Sequence, residues 1–583
     1  MTPSPAPTRT DGHTRWSTLL RQYEAVVHTH PMPGAWEAWL HDWDAAELAV
    51  QAEFARLHRA RHANLHDTAA HEAYEAFTRD VHSGARALRA HARRTFLHTA
   101  PAACLAPEIT RRLQNEEALA AASASSDQAL AIAALQGRYS RTAASLRVTV
   151  GGQTYPVGHA AWFLQHGDRA VREAAWRSAS AARLDAASEF DDVFLALVRK
   201  RQEVARTAGF ADYPTMRFRE LGRLDYTPGD CTAFHGAVEA HVAPLMRTLL
   251  AERQRELGLG ELAPWDLYVD TGARPPLPLW RNSRDLVDRA GAALAHVDAE
   301  FGEAFERMRD GHLIDVDARP GKPQGIGFCS FLPHVGDAYV QWSATGSQHD
   351  VTVLLHEAGH AFTFQAMLHA QRHDPAVGPA LGVVPPLEYA PVPQLEFLEV
   401  PSQALELLTL PHLAAHGHGG FFSSEDAERV RQGTLARVIG SLCVIARGDA
   451  FQHWVYAQNA EQLTPRALRE KWLELGERFI PGVHVSGVEN ELSVNWQELP
   501  HVFLEPFFLF EYGVAWLGAL QAWQAARHDH EGTLARLKKA FRVVGQLSVP
   551  ELYGAAGLDF SWDDATVRAA ANLLRAELQA VPA

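Results

Sequence analysis

Cysteine is scarce in this chain. Four residues, Cys104, Cys231, Cys329 and Cys443, are scattered over 583 positions without a Cys-x-x-Cys pair. That spacing speaks against a disulfide framework and against a thiolate zinc site, and it suits a reducing compartment. An apolar leader is lacking too, since "MTPSPAPTRTDGHTRW" has no hydrophobic core of the kind a secretory signal needs. The most apolar stretch, "HVFLEPFFLFEYGVAWLGALQAW", is interrupted by Glu505 and Glu511 and makes a poor membrane span. Positive charge is in deficit: 54 Lys and Arg face 69 Asp and Glu, a net −15. Such a field repels nucleic acid and anionic membranes. The expectation is a cytoplasmic protein with neither as a partner. No Gly-x-Ser-x-Gly elbow occurs, and "GIGF" has no P-loop lysine beside it.

What is present is mostly helical pattern. At 583 residues the chain exceeds one compact core, so two to four domains or lobes are expected. Residues 1–13, rich in Pro, Thr and Ser, read as disordered. From about 15 to 135, apolar residues recur three and four apart with few glycines, which predicts helices. "SLRVTVGGQTYPV" (145–157) breaks that period; alternating apolar residues around Gly151-Gly152 predict a β-hairpin near 146–157. A second break, 321–350, predicts strands at 327–332 and 338–344 joined by a turn containing Pro333 and Gly336. "SQHD" follows, a Ser-x-x-Asp capping signal just ahead of an apolar run.

That run is "LLHEAGHAFTFQ" (354–365). On a helix, residues i and i+4 share a face, so His356 and His360 can aim their imidazoles at one point. Zinc favours neutral imidazole nitrogens, and a catalytic site keeps one position open. Glu357, about 100° around the helix, can reach an attacking water there without being a ligand and act as its general base. The chain has 31 histidines. Chance gives roughly one or two i,i+4 pairs in such a chain, and the added Glu cuts this to about a tenth. His58 and His62 form a pair without the Glu and read as surface, as do "HGHGG" (416–420) and "RHDH" (527–530). Gly359, between the two histidines, suits close approach by another element. The strand at 338–344 is expected beside the metal, its edge open to an extended peptide.

A third ligand has three candidates in "EFLEVPSQALELL" (396–408): Glu396, Glu399 and Glu406. Pro401 is best tolerated in a first helical turn, which would place Glu399 near a helix start. Periodicity does not separate the three.

The pairing of "HEAGHAF" with "FLEVPSQALEL" some 40 residues later resembles the oligoendopeptidase F and thimet oligopeptidase family of zinc metallopeptidases. "GKPQGIGFCSF", "LPHVFLEPFFLFEYGVAWLGALQAW" (499–523) and "LQGRYSRTAASLRVTVGGQTYPV" also resemble family segments, closest to the oligoendopeptidase F branch, over roughly residues 110–580. The resemblance implies that Glu399 joins His356 and His360 on one zinc ion per chain. It further implies that His501 and Tyr512 stabilise the oxyanion and position substrate. Phe508 and Phe510 stand where relatives often carry Tyr, and phenylalanine cannot donate a hydrogen bond. The implied fold is mostly α, with two helical lobes around a deep channel and a small zincin-like β-element beside the HExxH helix. An N-terminal lobe is expected over 14–200 and a catalytic domain over 201–583. The implied activity is endopeptidase cleavage of short oligopeptides. A metal-dependent exopeptidase, or a peptide-binding protein that has lost catalysis, are the alternatives weighed against it.

Overall fold

Gly151 and Gly152 turn the chain back on itself with φ of +60° and +79°, the left-handed pair that a two-residue hairpin loop requires. They join β1 (Arg147–Val150) to β2 (Gln153–Pro156), antiparallel with Val150 opposite Gln153, as expected from the sequence. The structure, a computed structural model, describes residues 9–580 apart from 33, 102–103, 122–125, 275–276, 278–279, 324–326, 375, 379–393 and 415–419. Residues 1–8 of the stretch expected to be disordered therefore lie outside the description, and a helix, Arg9–His28, begins just after them. Most of "HGHGG" lies outside it as well. Elsewhere the chain is predominantly helical. Among the described residues no helix is long and apolar enough to cross a membrane.

The second β-element has three strands rather than two. β3 (Ile314–Asp315), β4 (Phe328–Leu332) and β5 (Asp337–Gln341) form a sheet of order β3-β5-β4. Gly336, at φ +75°, closes the expected β4–β5 turn, and its N–H reaches Leu332 O at 3.1 Å. On its other side β5 pairs in parallel with β3, and Trp342 N continues that side to Asp315 O at 2.9 Å. This corrects one expectation: the strand preceding the HEAGH helix is central, so its edge is not open to a peptide. Among the described residues the edges of this sheet are β3 and β4, of which β4 is the longer.

The expected boundary at 200/201 falls inside a 39-residue helix, Arg169–Thr207, which Asp168 caps by accepting from Ala170 N. The chain divides instead into two compact units, each built from separated segments. One comprises Met1–Ala121, Leu277–Val430 and Gly518–Phe560; the other comprises Ala122–Pro276, Arg431–Leu517 and Ser561–Ala583.

The first unit has an aromatic core among its early helices, with Trp16, Tyr23, Trp39, Trp43, Phe77 and Phe96 buried together. Its centre is the HEAGH helix, Gln348–His373, packed against helices Leu395–Leu408 and His530–Arg542. In the second unit, Phe190 and Phe194 of the long helix pack on Phe503, and Phe194 also on Trp496.

Candidate metal centre

The HEAGH helix is fixed at its start by one side chain. Asp350 Oδ2 accepts from the N–H groups of Thr345, Gly346 and Ser347 at 2.8–3.0 Å, and Oδ1 accepts from Trp342 Nε1 at 2.7 Å. The sequence signal "SQHD" thus ties the helix to the end of the β5 strand while satisfying N-terminal amides. His356 comes six residues beyond Asp350, and the 3.6-residue period brings it and His360 to one face, with ring centroids 5.0 Å apart.

Gly359 decides what can lie against that face. A Cβ there would stand 2.5 Å from Ser402 Cα and 2.6 Å from Ser402 N, so helix Leu395–Leu408 crosses where only hydrogen fits. The close crossing delivers Glu399. Its Oε2 lies 3.3 Å from His356 Nε2 and 3.7 Å from His360 Nε2. The three donor atoms all lie within 4.8 Å of one another. Glu399 is 5% exposed, and its Oε2 has no hydrogen-bond partner. A buried carboxylate oxygen left in that state is costly, and a cation shared with the two imidazoles would satisfy it. Two nitrogens and one carboxylate are a donor set that zinc accepts.

Glu399 is thereby separated from its two competitors. Glu406, seven residues on and on the same helix face, has Oε1 2.8 Å from His356 Nδ1 and so orients that ring from behind. The sequence offers Glu406 only as a rival ligand; its i,i+7 spacing from Glu399 is the available signal for a partner of the same imidazole. Glu396 is buried, and its backbone oxygen accepts from Tyr553 Oη at 2.8 Å. Pro401 departs from expectation. It lies inside the helix rather than in its first turn, removing the N–H that would bond Phe397 O. The helix start is held instead by Gln394, at φ +67°, whose Oε1 accepts from Gly545 N at 2.9 Å.

Burial pulls His356 down, but the carboxylates of Glu399 and Glu406 outweigh it and hold that ring well above the usual histidine range. Burial dominates for His360, pushed down to about 4 and so neutral, the form that ligates metal. Glu357 is also buried, which pushes its carboxyl up to about 7, with His356 opposing and Glu399 and Glu406 adding. A Cβ on Gly327, just before β4, would come within 3.4 Å of Glu357 Oε1. The open strand β4 therefore begins beside the carboxylate.

His501 and Tyr512 belong to the second unit. His501 sits on the short helix Pro500–Leu504, its ring stacked on Phe508 at 5.7 Å; Tyr512 meets both rings edge-on, at 6.1 and 5.6 Å. Burial lowers the His501 pKa, which favours the neutral ring. Phe510 is a core residue, packed on Tyr226, Phe234 and Trp562. Three arginines anchor this segment and were not singled out in the sequence. Arg201 donates to Phe503 O, Arg217 pairs with Glu505, and Arg223 donates to Phe507 O and pairs with Glu511 at 2.9 Å. Arg223 and Glu511 are both buried. Removing one partner of such a pair costs about 3–5 kcal/mol, so the segment is firmly held.

The fold is shared with solved peptidases. PZ peptidase A with inhibitor 2 is 21% identical, with a TM-score of 0.81 over 99% of this chain and 98% of that one. Oligoendopeptidase-F from Enterococcus faecium is 14% identical, with a TM-score of 0.60 over 98% of this chain and 97% of that one. No curated protein matches the chain. The model of peptidase family M3 matches residues 162–278 and 285–571. The chain belongs to peptidase family M3, and its substrates are peptides.

Proposed function

We propose that the chain is a zinc-dependent endopeptidase that cuts internal bonds of short oligopeptides. The observation that carries this reading is the unpartnered, buried Oε2 of Glu399 set between the Nε2 atoms of His356 and His360, with Glu357 one residue away. His356, His360 and Glu399 hold the zinc, and Glu406 fixes the orientation of His356. Zinc, when bound, supplies Lewis acidity for the scissile carbonyl and the attacking water. Glu357 takes the proton of that water and returns it to the leaving amine. His501 and Tyr512, each with an N–H or O–H to donate, stabilise the oxyanion. An extended peptide adds to the open side of β4, which begins beside Glu357.

The endopeptidase reading is tested by mapping products from amino- and carboxy-blocked peptides of graded length, with a folded protein included. Internal cuts confined to the short peptides, lost on chelation and restored by zinc, are expected. Cleavage only of peptides with a free terminus would replace it with an exopeptidase.

Glu406→Ala removes the acceptor behind His356. Zinc affinity, followed by competition with a chromophoric chelator, should fall about 10–100-fold, the usual effect of losing such a partner. Glu406→Gln, which keeps an acceptor oxygen, should lose less. Equal affinity in Glu406→Ala and wild type would show that the 2.8 Å contact does nothing for the metal.

A further inference from the structure

A second set of donors meets inside the second unit. Cys231 and His235 are four residues apart on helix Cys231–Ala237; Asp449 and His453 are four apart on helix Ser424–Tyr456. Each pair therefore shares a helix face. Cys231 Sγ, an Asp449 oxygen and a His453 nitrogen all lie within 4.8 Å of one another. Asp449 Oδ2 is 2.8 Å from His235 Nε2 and 3.4 Å from His453 Nε2.

The surroundings are apolar. Cys231 and Asp449 are fully buried, and the His453 ring lies 5.0 Å from Phe507 and 6.5 Å from Phe218. Two polar atoms of the cluster, Asp449 Oδ1 and His453 Nε2, have no hydrogen-bond partner. The hydrogen bond between His235 and Asp449 thus leaves buried polar capacity unused, while Cys231 Sγ reaches Thr227 O, at 3.9 Å, just ahead of its own helix. A cation bound by Cys231, Asp449 and His453 would use that capacity.

We propose that Cys231, Asp449 and His453 form a second metal site, which takes zinc or a similar borderline divalent cation, with His235 holding the Asp449 carboxylate in place. Thiolate with imidazole selects that class over the hard cations magnesium and calcium. Zinc bonds of about 2.0–2.3 Å at the tetrahedral angle set donors roughly 3.3–3.8 Å apart. The 3.4 Å between His453 and Asp449 fits that separation. His235, 2.8 Å from Asp449 Oδ2, is too close to that oxygen to be a further tetrahedral donor and orients the carboxylate instead. Binding releases the Cys231 thiol proton to solvent and exchanges no electrons. The metal would clamp two helices beside Phe507, whose backbone at φ +66° begins the turn into the helix bearing Tyr512. This inference does not rest on the proposed activity.

The test is metal content after chelation, zinc loading and washing, measured by elemental analysis. Wild type should hold two equivalents. The His356→Ala/His360→Ala variant should hold one, as should Cys231→Ser/Asp449→Asn. Because the last variant can fail to fold, cobalt loading of the first two gives an independent reading. A sulfur-to-cobalt charge-transfer band is expected in wild type and in His356→Ala/His360→Ala, since the HEAGH centre has no sulfur. Zinc should also slow alkylation of Cys231, read by peptide mapping. One equivalent in wild type, none in His356→Ala/His360→Ala and no charge-transfer band would overturn the proposal.

Discussion

Glu357→Gln is expected to lower kcat by roughly 10²–10⁴-fold, the span that general acid–base catalysis contributes, with zinc content unchanged. The substitution is nearly isosteric, so the helix and its packing are kept. The amide can still accept a hydrogen bond, but it cannot take a proton from water or hand one to an amine. Glu357 follows His356 on the helix, and its carboxylate is not among the three atoms that gather within 4.8 Å. Metal retention therefore separates this variant from His360→Ala, which removes a donor and should lose zinc and activity together. The readout is kcat on a blocked peptide beside elemental analysis of the same preparation. Full activity in Glu357→Gln would remove Glu357 from the reaction. Lost activity with lost zinc would make it a structural prop of the metal site.

The candidate site was legible where its parts are local. His356, Glu357 and His360 lie within one helical turn and a half, and Asp350 announces that helix from six residues upstream. Gly151-Gly152 likewise carries its hairpin in two residues. Parts that depend on distant pairing were not legible. β3 is two residues long and joins the sheet in parallel, so no alternation marks it, and its presence makes β5 central. Pro401 follows a general preference that this helix overrides, because its entry is fixed by Gln394 and its crossing by Gly359. The make-up of the compact units was hidden for a related reason: each gathers three separated segments, which composition does not reveal. The cysteine spacing argued against a thiolate metal site. Yet Cys231 meets Asp449 and His453 only because two helices far apart in sequence cross, and each helix shows just half of the pattern.

Gly359→Ala should destabilise the protein and weaken its metal binding, although alanine is the better helix former by about 1 kcal/mol. The sign turns on what the new methyl group meets. Its nearest atoms would be the Cα and N of Ser402 and the carbonyl carbon of Pro401, at 2.5–2.8 Å. These are backbone atoms of a packed helix, which cannot swing aside as the end of a flexible side chain can. The two helices must separate, and overpacking of this kind typically costs about 1–3 kcal/mol. Separation also draws Glu399 back from His356 and His360, because that carboxylate reaches them only through the crossing. A displacement near 1 Å in such a site costs about 10²-fold in rate, so kcat/KM should fall by about that factor, with the zinc dissociation constant rising. Gly433→Ala is the control. Gly433 is an exposed helical position, and a methyl group added there would meet nothing within 4 Å, so the same chemical change should be neutral or mildly stabilising. Denaturant midpoints, zinc affinity and kcat/KM of the two variants decide the matter. If Gly359→Ala matches wild type in all three, the tight crossing is not what brings Glu399 to the histidines.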